Sequence, residues 1–486
     1  MHSSLFMNSK LMATSLFFLY LLLLHTHFHL STSSTILLPL THSLSTAQFN
    51  ATHHLLKSTS ARSTNRFRRY HHTQLSLPLS SGSDYTLSFT LGSSTISLYL
   101  DTGSDLVWFP CQPFTCILCE SKPRSPTPPA KLSSLASPVP CSSPACAAAH
   151  SSIPSSSDLC AIARCPLESI EMSECGSFSC PSFYYAYADG SLVARLYRDS
   201  LSLPVSSHSL TIRNFTFGCA HTTLGEPIGV AGFGRGVLSL PAQLASFSPQ
   251  LGNSFSYCLV SHSFDTEKVT HPSPLILGRY VDEKEKWIGG ERVKFIYTQM
   301  LDNPKHPYFY SVGLEGISVG EKKISAPEIL KRVDRHGGGG MVVDSGTTFT
   351  MLPASLYESV VAEFDRRVGR LHERARPIEE KTGLGPCYYY NKAVRVPSVV
   401  LHFVGNASSV VLPSRNYFYE FADGKRKVGC LMLMNGGDEE ELRGGPVATL
   451  GNYQQQGFEV VYELRKRRVG FAKRKCASLW ESLNQG

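Results

Sequence analysis

The stretch Ile96-Ser97-Leu98-Tyr99-Leu100-Asp101-Thr102-Gly103-Ser104 decides the reading of this chain. Its last four residues return, 243 positions later, as Asp344-Ser345-Gly346-Thr347 after the apolar run Met341-Val342-Val343. Each apolar run reads as a strand that delivers an aspartate to a tight turn, and each segment closes on a proline nine residues past its aspartate, Pro110 and Pro353. One acidic tetrapeptide of this kind is an ordinary exposed turn. Two copies in matching settings predict a symmetric pair of carboxylates.

Two carboxyl groups held a few ångströms apart resist double ionisation, so the pair holds one proton, with one member acting as base and the other as acid. Such a pair activates water without a metal or a nucleophilic side chain, and neither metal nor cofactor is expected. Gly103 and Gly346 permit the turns. The hydroxyls of Thr102, Ser104, Ser345 and Thr347 are expected to donate to the carboxylates, orienting them and favouring the charged form.

Four further segments accompany the tetrapeptides. They are the continuation Asp105-Leu-Val-Trp108-Phe-Pro110, the stretch Tyr187-Ala188-Asp189-Gly190-Ser191, and the apolar-glycine segments Gly229-Val-Ala-Gly232-Phe-Gly-Arg-Gly236 and Ala448-Thr-Leu-Gly451-Asn452. With these motifs in this order, the chain from about Tyr85 to about Lys475 resembles the pepsin-like aspartic proteases, and more closely their atypical plant branch, the nepenthesin-like and nucellin-like enzymes. The resemblance implies a mostly β, bilobal fold with pseudo-twofold symmetry and a cysteine-rich insertion in the N-terminal lobe. It implies Asp101 and Asp344 as catalytic pair and peptide or protein substrates. Tyr187, with Asp189 and Gly190, would form the tip of a β-hairpin flap closing over bound peptide, with Trp108 packed beneath. The family usually has glycine where this chain has Ala188, a departure that bears on flap geometry and leaves the catalytic pair untouched.

Composition agrees with a folded enzyme. A chain of 486 residues with 42% hydrophobic and 17% charged residues buries a sizeable core, which excludes a disordered protein, and its length suggests two or three domains. Residues 1–30 read as a secretory signal: Leu11 to Leu24 is a largely apolar stretch preceded by Lys10 and followed by Ser31, Ser33 and Ser34, and it is short for a membrane span. The competing reading is an uncleaved anchor. Residues 31–80 read as a prosegment, rich in Ser, Thr and His, with Arg62, Arg66, Arg68 and Arg69 and no acidic residue. An N-terminal lobe over 81–285, with the insertion at 111–180, and a C-terminal lobe over 286–486 complete the division.

The formal net charge of +8 resides largely at the N-terminus, since the first 80 residues hold six Lys or Arg and no Asp or Glu. The remainder is nearly neutral, which argues against nucleic-acid binding by a mature enzyme. A basic prosegment has two readings, a neutraliser of an acidic cleft before processing or a solvated tail.

Fourteen cysteines, nine of them between residues 111 and 180, indicate a disulfide framework in an oxidising compartment. The nine are Cys111, Cys116, Cys119, Cys141, Cys146, Cys160, Cys165, Cys175 and Cys180, so at least one pairs outside the cluster or stays free; Cys219, Cys258 and Cys476 are candidate partners. The resemblance to the plant branch suggests Cys387 with Cys430. A zinc site on Cys116-Ile-Leu-Cys119 is the competing reading, weakened by the absence of a second C-x-x-C, and the 18 histidines show no metal spacing.

The sequons at Asn50, Asn214 and Asn406 fit a secretory route. Beyond the insertion, short apolar runs such as 201–203, 215–218, 308–312, 410–412 and 459–462 predict strands, and Ser355 to Arg374 predicts the best helix. These observations lead to the expectation of a monomeric aspartic endopeptidase, made as a zymogen, located in the apoplast or the vacuole, with no membrane span after signal removal. Two other classes compete. One is a catalytically silent binder with the same fold, like the plant xylanase-inhibitor proteins, whose members lose parts of the constellation kept here. The other is a nucleic-acid-binding protease that retains its basic arm.

Overall fold

The computed structural model describes residues 35–42, 56–57, 59–60, 63, 85–119, 127–150, 179–187, 190–204, 209–261, 272–279 and 287–484, with short breaks at 93, 253, 289–290, 392–394, 440–441 and 443–444. The expected signal peptide, most of the expected prosegment, much of the cysteine-rich insertion, Asn50, Ala188 and Asp189 lie outside the described residues. No described helix is long and apolar enough to cross a membrane.

Strand alternation dominates the chain, and the fold is mostly β. The strand Ser94–Asp101 buries every residue from Ile96 onward and runs parallel to Gly229–Gly232, with Asp101 opposite Gly232. The second half repeats the arrangement: Met341–Val343 runs parallel to Ala448–Leu450, with Val343 opposite Leu450. A second parallel pairing also recurs, Trp108–Ile117 with the end of Ser209–Leu224 in the first half and Thr350–Leu352 with Leu433–Asn435 in the second. Parallel strands are buried on both faces, which explains the continuous apolar runs before each aspartate. Pseudo-twofold symmetry is thus written into strand pairing as well as into the motifs.

Six antiparallel strands join the halves. Their order is Ile36–His42, Ser273–Leu277, Ser254–Cys258, Phe458–Glu463, Arg468–Lys473, Ile296–Leu301, so the first half supplies three and the second half three. The edge strand comes from the expected prosegment and is a full member of the core, with Leu38 and Leu40 buried. Its last residues also pair with Tyr85 and Thr86. Further along the same segment Leu56 is buried, the Ser60 hydroxyl donates to the Thr382 carbonyl at 2.7 Å, and Ser63 Oγ accepts from the Phe349 N–H at 3.0 Å. Lys57 is exposed, and the four arginines of that segment lie outside the described residues.

Two local expectations shift. The helix spans Ala354–Val368 and stops at Gly369, after which Glu373 and Arg374 pair with Tyr389 and Tyr388 in a sheet. Of the run 308–312 only Ser311–Val312 is strand, because the Tyr308 carbonyl accepts from the Arg235 N–H and the Tyr310 carbonyl from the Val343 N–H, tying this segment to both aspartate regions.

Five disulfides connect described residues: Cys111–Cys219, Cys116–Cys119, Cys146–Cys180, Cys258–Cys476 and Cys387–Cys430. The Cys387–Cys430 pairing suggested by the resemblance is present, between directly opposed strand residues. Cys219 takes the partner from the cluster, while Cys258 and Cys476 pair with each other. The sulfurs of Cys116 and Cys119 bond one another, which replaces the zinc reading of that tetrapeptide. Cys141 is disulfide-bonded, and Cys160, Cys165 and Cys175 lie outside the described residues. Asn214 and Asn406 are both exposed.

The Cys258–Cys476 bridge closes 218 positions and ties the C-terminal helix Cys476–Asn484 to the joining sheet. Replacing both cysteines by serine is expected to lower unfolding free energy by about 2–5 kcal/mol, read from denaturant midpoints under oxidising conditions. An unchanged midpoint would show that the helix is held by packing alone.

Candidate active site

Asp101 ends its strand and Asp344 follows its own, and both are buried, with 1% exposure each. Each carboxylate is held in the same way. Asp101 Oδ1 accepts from the Gly103 N–H at 2.9 Å and Oδ2 from the Ser104 hydroxyl; Asp344 Oδ1 accepts from the Gly346 N–H at 2.8 Å and Oδ2 from the Thr347 hydroxyl at 2.6 Å. Charge-assisted donors of this kind fix a carboxylate's plane and favour its ionised form.

The expectation for Thr102 and Ser345 is corrected. Their hydroxyls donate away from the carboxylates, across the lobe boundary: Thr102 Oγ1 donates to the Val343 carbonyl at 3.1 Å and accepts from the Ser345 N–H at 2.8 Å, while Ser345 Oγ donates to the Leu100 carbonyl at 3.1 Å and accepts from the Thr102 N–H at 3.0 Å. Four reciprocal bonds lock the two loops together. The reason is geometric, since the residue directly after each aspartate faces the opposite loop while the residue three positions on folds back over the carboxylate. Gly103 shows how close the loops lie: a Cβ there would stand 2.7 Å from Asp344 Cγ, so only glycine fits.

The flap strands Phe183–Ala186 and Ser191–Pro204 pair in antiparallel register, and the Tyr187 N–H closes on the Gly190 carbonyl at 2.7 Å. The Tyr187 hydroxyl accepts from Trp108 Nε1 at 2.7 Å, and Trp108 is wholly buried, so the two meet as the resemblance implies. Burial and then the charge of Asp101 keep the Tyr187 phenol well above the usual tyrosine range, a neutral donor and acceptor.

Several residues around the pair escaped the sequence reading. Asn452 Nδ2 donates to the Ser345 carbonyl at 2.9 Å, and Gln455 Nε2 reaches the Asp344 carbonyl at 3.3 Å. Asp105 sits directly behind the Asp101 loop. Its Oδ1 accepts from the Gly236 N–H at 2.8 Å, and a Cβ on Gly236 would lie 1.6 Å from its Oδ2. Burial pushes the Asp105 carboxyl up from 3.8 to about 7; the Gly236 N–H opposes this, the charge of Asp101 adds to it and Arg235 lowers it. An acidic residue immediately after the tetrapeptide, in an otherwise apolar strand approach, was the available signal. The one described group of metal-ligating side chains, Cys146, His150 and Cys180, has its two sulfurs joined in a disulfide.

A pair of pseudo-symmetric strand–turn loops, each presenting a hydrogen-bonded aspartate at the junction of two β lobes and accompanied by a tyrosine-bearing hairpin, defines the pepsin-like aspartic protease fold. Comparison with known proteins agrees. The family described as xylanase inhibitor N-terminal matches residues 85–279 and that described as xylanase inhibitor C-terminal matches 309–473. The chain is 66% identical to a probable aspartyl protease of Arabidopsis thaliana over 96% of this chain and 99% of the relative. It is 28% identical to aspartic proteinase nepenthesin-2 of Nepenthes gracilis over 81% of this chain and 78% of that protein. Among solved structures it superposes on EDGP with a TM-score of 0.60 at 18% identity, covering 92% of this chain and 98% of that one. On conglutin gamma, a basic 7S globulin from lupine seeds, it does so with 0.59 at 17% over the same shares. The chain belongs to the plant pepsin-like aspartic protease family.

Asp105 yields a prediction with a definite sign. Its carboxyl holds a proton more tightly in the fold than in the unfolded chain, so its contribution to stability is complete below about pH 4 and is lost as pH rises towards 7. Asp105→Asn keeps an oxygen for the Gly236 N–H and removes the charge. The variant's melting temperature is expected to match wild type near pH 4 and to exceed it increasingly up to pH 7; a gap independent of pH would show that Asp105 is ionised throughout.

Proposed function

We propose that this protein is an aspartic endopeptidase in which Asp101 and Asp344 activate a water that attacks the scissile peptide carbonyl. The observation that carries the reading is the intact, matched support of both carboxylates, each with one backbone N–H and one hydroxyl, across loops locked by Thr102 and Ser345. An ionised aspartate takes a proton from water as its oxygen bonds to the carbonyl carbon. The protonated partner hydrogen-bonds the carbonyl oxygen and stabilises the charge that develops there. Collapse of the tetrahedral intermediate transfers a proton to the leaving amine, breaks the C–N bond and restores one shared proton. Tyr187, on the flap with Gly190, excludes water and holds the peptide backbone.

The same reading assigns residues 1–30 to a secretory signal and 31–80 to a prosegment, with a monomeric mature enzyme in the apoplast or, alternatively, the vacuole. Disulfides and the exposed Asn214 and Asn406 support a secretory route. The strand Ile36–His42 adds a physical constraint: its burial means that processing must leave it bound in the sheet or replace it. A silent binding protein of the xylanase-inhibitor type is the second reading, favoured by the family description and by the globulin fold neighbour.

Asp101→Asn and Asp344→Asn are each expected to reduce cleavage of a denatured protein by at least about a thousandfold with circular dichroism unchanged, because an amide serves neither role. Wild-type activity should peak below neutral pH, fall with pepstatin and be indifferent to EDTA. Equal turnover by the Asn variants, or an alkaline optimum, would reject the mechanism; a folded, processed wild type that binds pepstatin and cleaves nothing would favour the silent binder.

A further inference from the structure

Beneath the two aspartate loops, the central strands of the joining sheet carry two phenols on one buried face. Strands Ser254–Cys258 and Phe458–Glu463 pair with Phe255 opposite Tyr462 and Tyr257 opposite Val460. Directly opposed residues share a face, so Phe255, Tyr257, Val460 and Tyr462 all point one way, and all are buried. Phenylalanine would fill the same volume at 257 and 462 without burying a hydroxyl, whose desolvation is unfavourable unless it is hydrogen-bonded.

Both hydroxyls are bonded, and the bonds lead to the site. Tyr257 and Tyr462 meet hydroxyl to hydroxyl at 2.7 Å. The Tyr257 hydroxyl donates to Gln455 Oε1, and Gln455 Nε2 donates to the Leu450 carbonyl at 2.8 Å and to the Asp344 carbonyl at 3.3 Å. The Thr102 hydroxyl lies near both phenols, and the charge of Asp344 acts on both. Burial, the largest influence on each, holds them well above the usual tyrosine range, so they stay neutral across the pH span of the enzyme. A third phenol, Tyr310, has its ring 4.4 Å from that of Tyr462 and donates to the Phe233 carbonyl at 2.7 Å, while the Phe233 N–H donates to the Asp101 carbonyl at 2.7 Å.

We propose that Tyr257 and Tyr462 are positioning residues for the catalytic pair: through Gln455 and Thr102 they transmit the rigidity of the joining sheet to the Asp344 and Asp101 loops and fix the spacing of the two carboxylates. The inference rests on the protease reading. It extends that reading to residues that never meet substrate. Spacing matters because the mutual repulsion that separates the two apparent pKa values of a carboxyl pair falls with distance. A loosened pair titrates with values closer together, which narrows a bell-shaped pH profile from both sides.

The test compares wild type with Tyr257→Phe, Tyr462→Phe and a control, Tyr417→Phe. The control removes another buried tyrosine's hydroxyl, whose bond is to the Pro397 carbonyl at 2.8 Å. The first two variants are expected to lose about tenfold or more in kcat with KM within about twofold, and to show a narrowed pH–kcat/KM profile. The control should lose stability and keep the profile width. Should either variant fail to fold, Gln455→Met breaks the relay outside the sheet strands and is expected to give the same narrowing. Wild-type kcat and profile width in these variants, beside an active wild type, would overturn the inference alone. A wild type inactive at every pH would reject the protease reading and this inference with it.

Discussion

The exchange of hydrogen bonds between Thr102 and Ser345 is the constraint on which the rest depends. Each residue gives its hydroxyl proton to a carbonyl of the other half and takes the other's N–H, so neither loop has its final geometry alone. The carboxylates stand one residue away from this lock and inherit its precision. Close approach follows: with Gly103 lying against Asp344, the site tolerates no side chain there, and the strands that bring the loops together have to be fixed on both sides.

That fixing is the task of the six-stranded sheet, whose two faces are specialised. On one face, Glu459 is buried with Arg279 at 2.9 Å and Arg474 at 3.3 Å and accepts from Ser256 at 3.0 Å, a charged cluster that requires one register. Burying such a group is costly unless its partners are in place, so the cluster resists slippage more than it adds net stability. The other face carries aromatic rings, Phe255 stacked on Tyr462 with centroids 4.7 Å apart, and passes its hydroxyls to the loops. The sheet therefore couples packing to the site within one layer.

Much of this was legible in the sequence, for identifiable reasons. The tetrapeptides, their apolar approaches, Trp108, Tyr187 and the glycine segments are local patterns, and local patterns survive translation into a string of residues. The roles of Thr102 and Ser345 were not legible, because one hydroxyl reads like another until its facing partner is known; Ser104 and Thr347 bond the carboxylates and their neighbours do not. Tyr257, Tyr462 and Gln455 were hidden more deeply. Their strands read as ordinary core, and the relation among them spans about 200 positions, a separation that no periodicity marks. The strand around Leu38 and Leu40 was not legible either, because a short apolar run inside a Ser-, Thr- and His-rich segment carries little signal, yet both side chains are buried in the core.

Symmetry of the immediate partners does not extend outward, and the wider surroundings of the two aspartates differ. Asp344 is backed by neutral amides and phenols, through Asn452, Gln455 and the tyrosine pair. Asp101 acts electrostatically on the Tyr187 phenol and on Asp105, a third carboxyl whose charge raises the cost of charge on Asp101 as much as the reverse. While Asp105 is protonated it places no charge beside Asp101, so the surroundings of the two aspartates differ least in that state. An ionised Asp105 repels charge on Asp101, which sets the two aspartates' surroundings further apart. The carboxyl that sets this difference lies one position beyond the motif that a sequence pattern ends on.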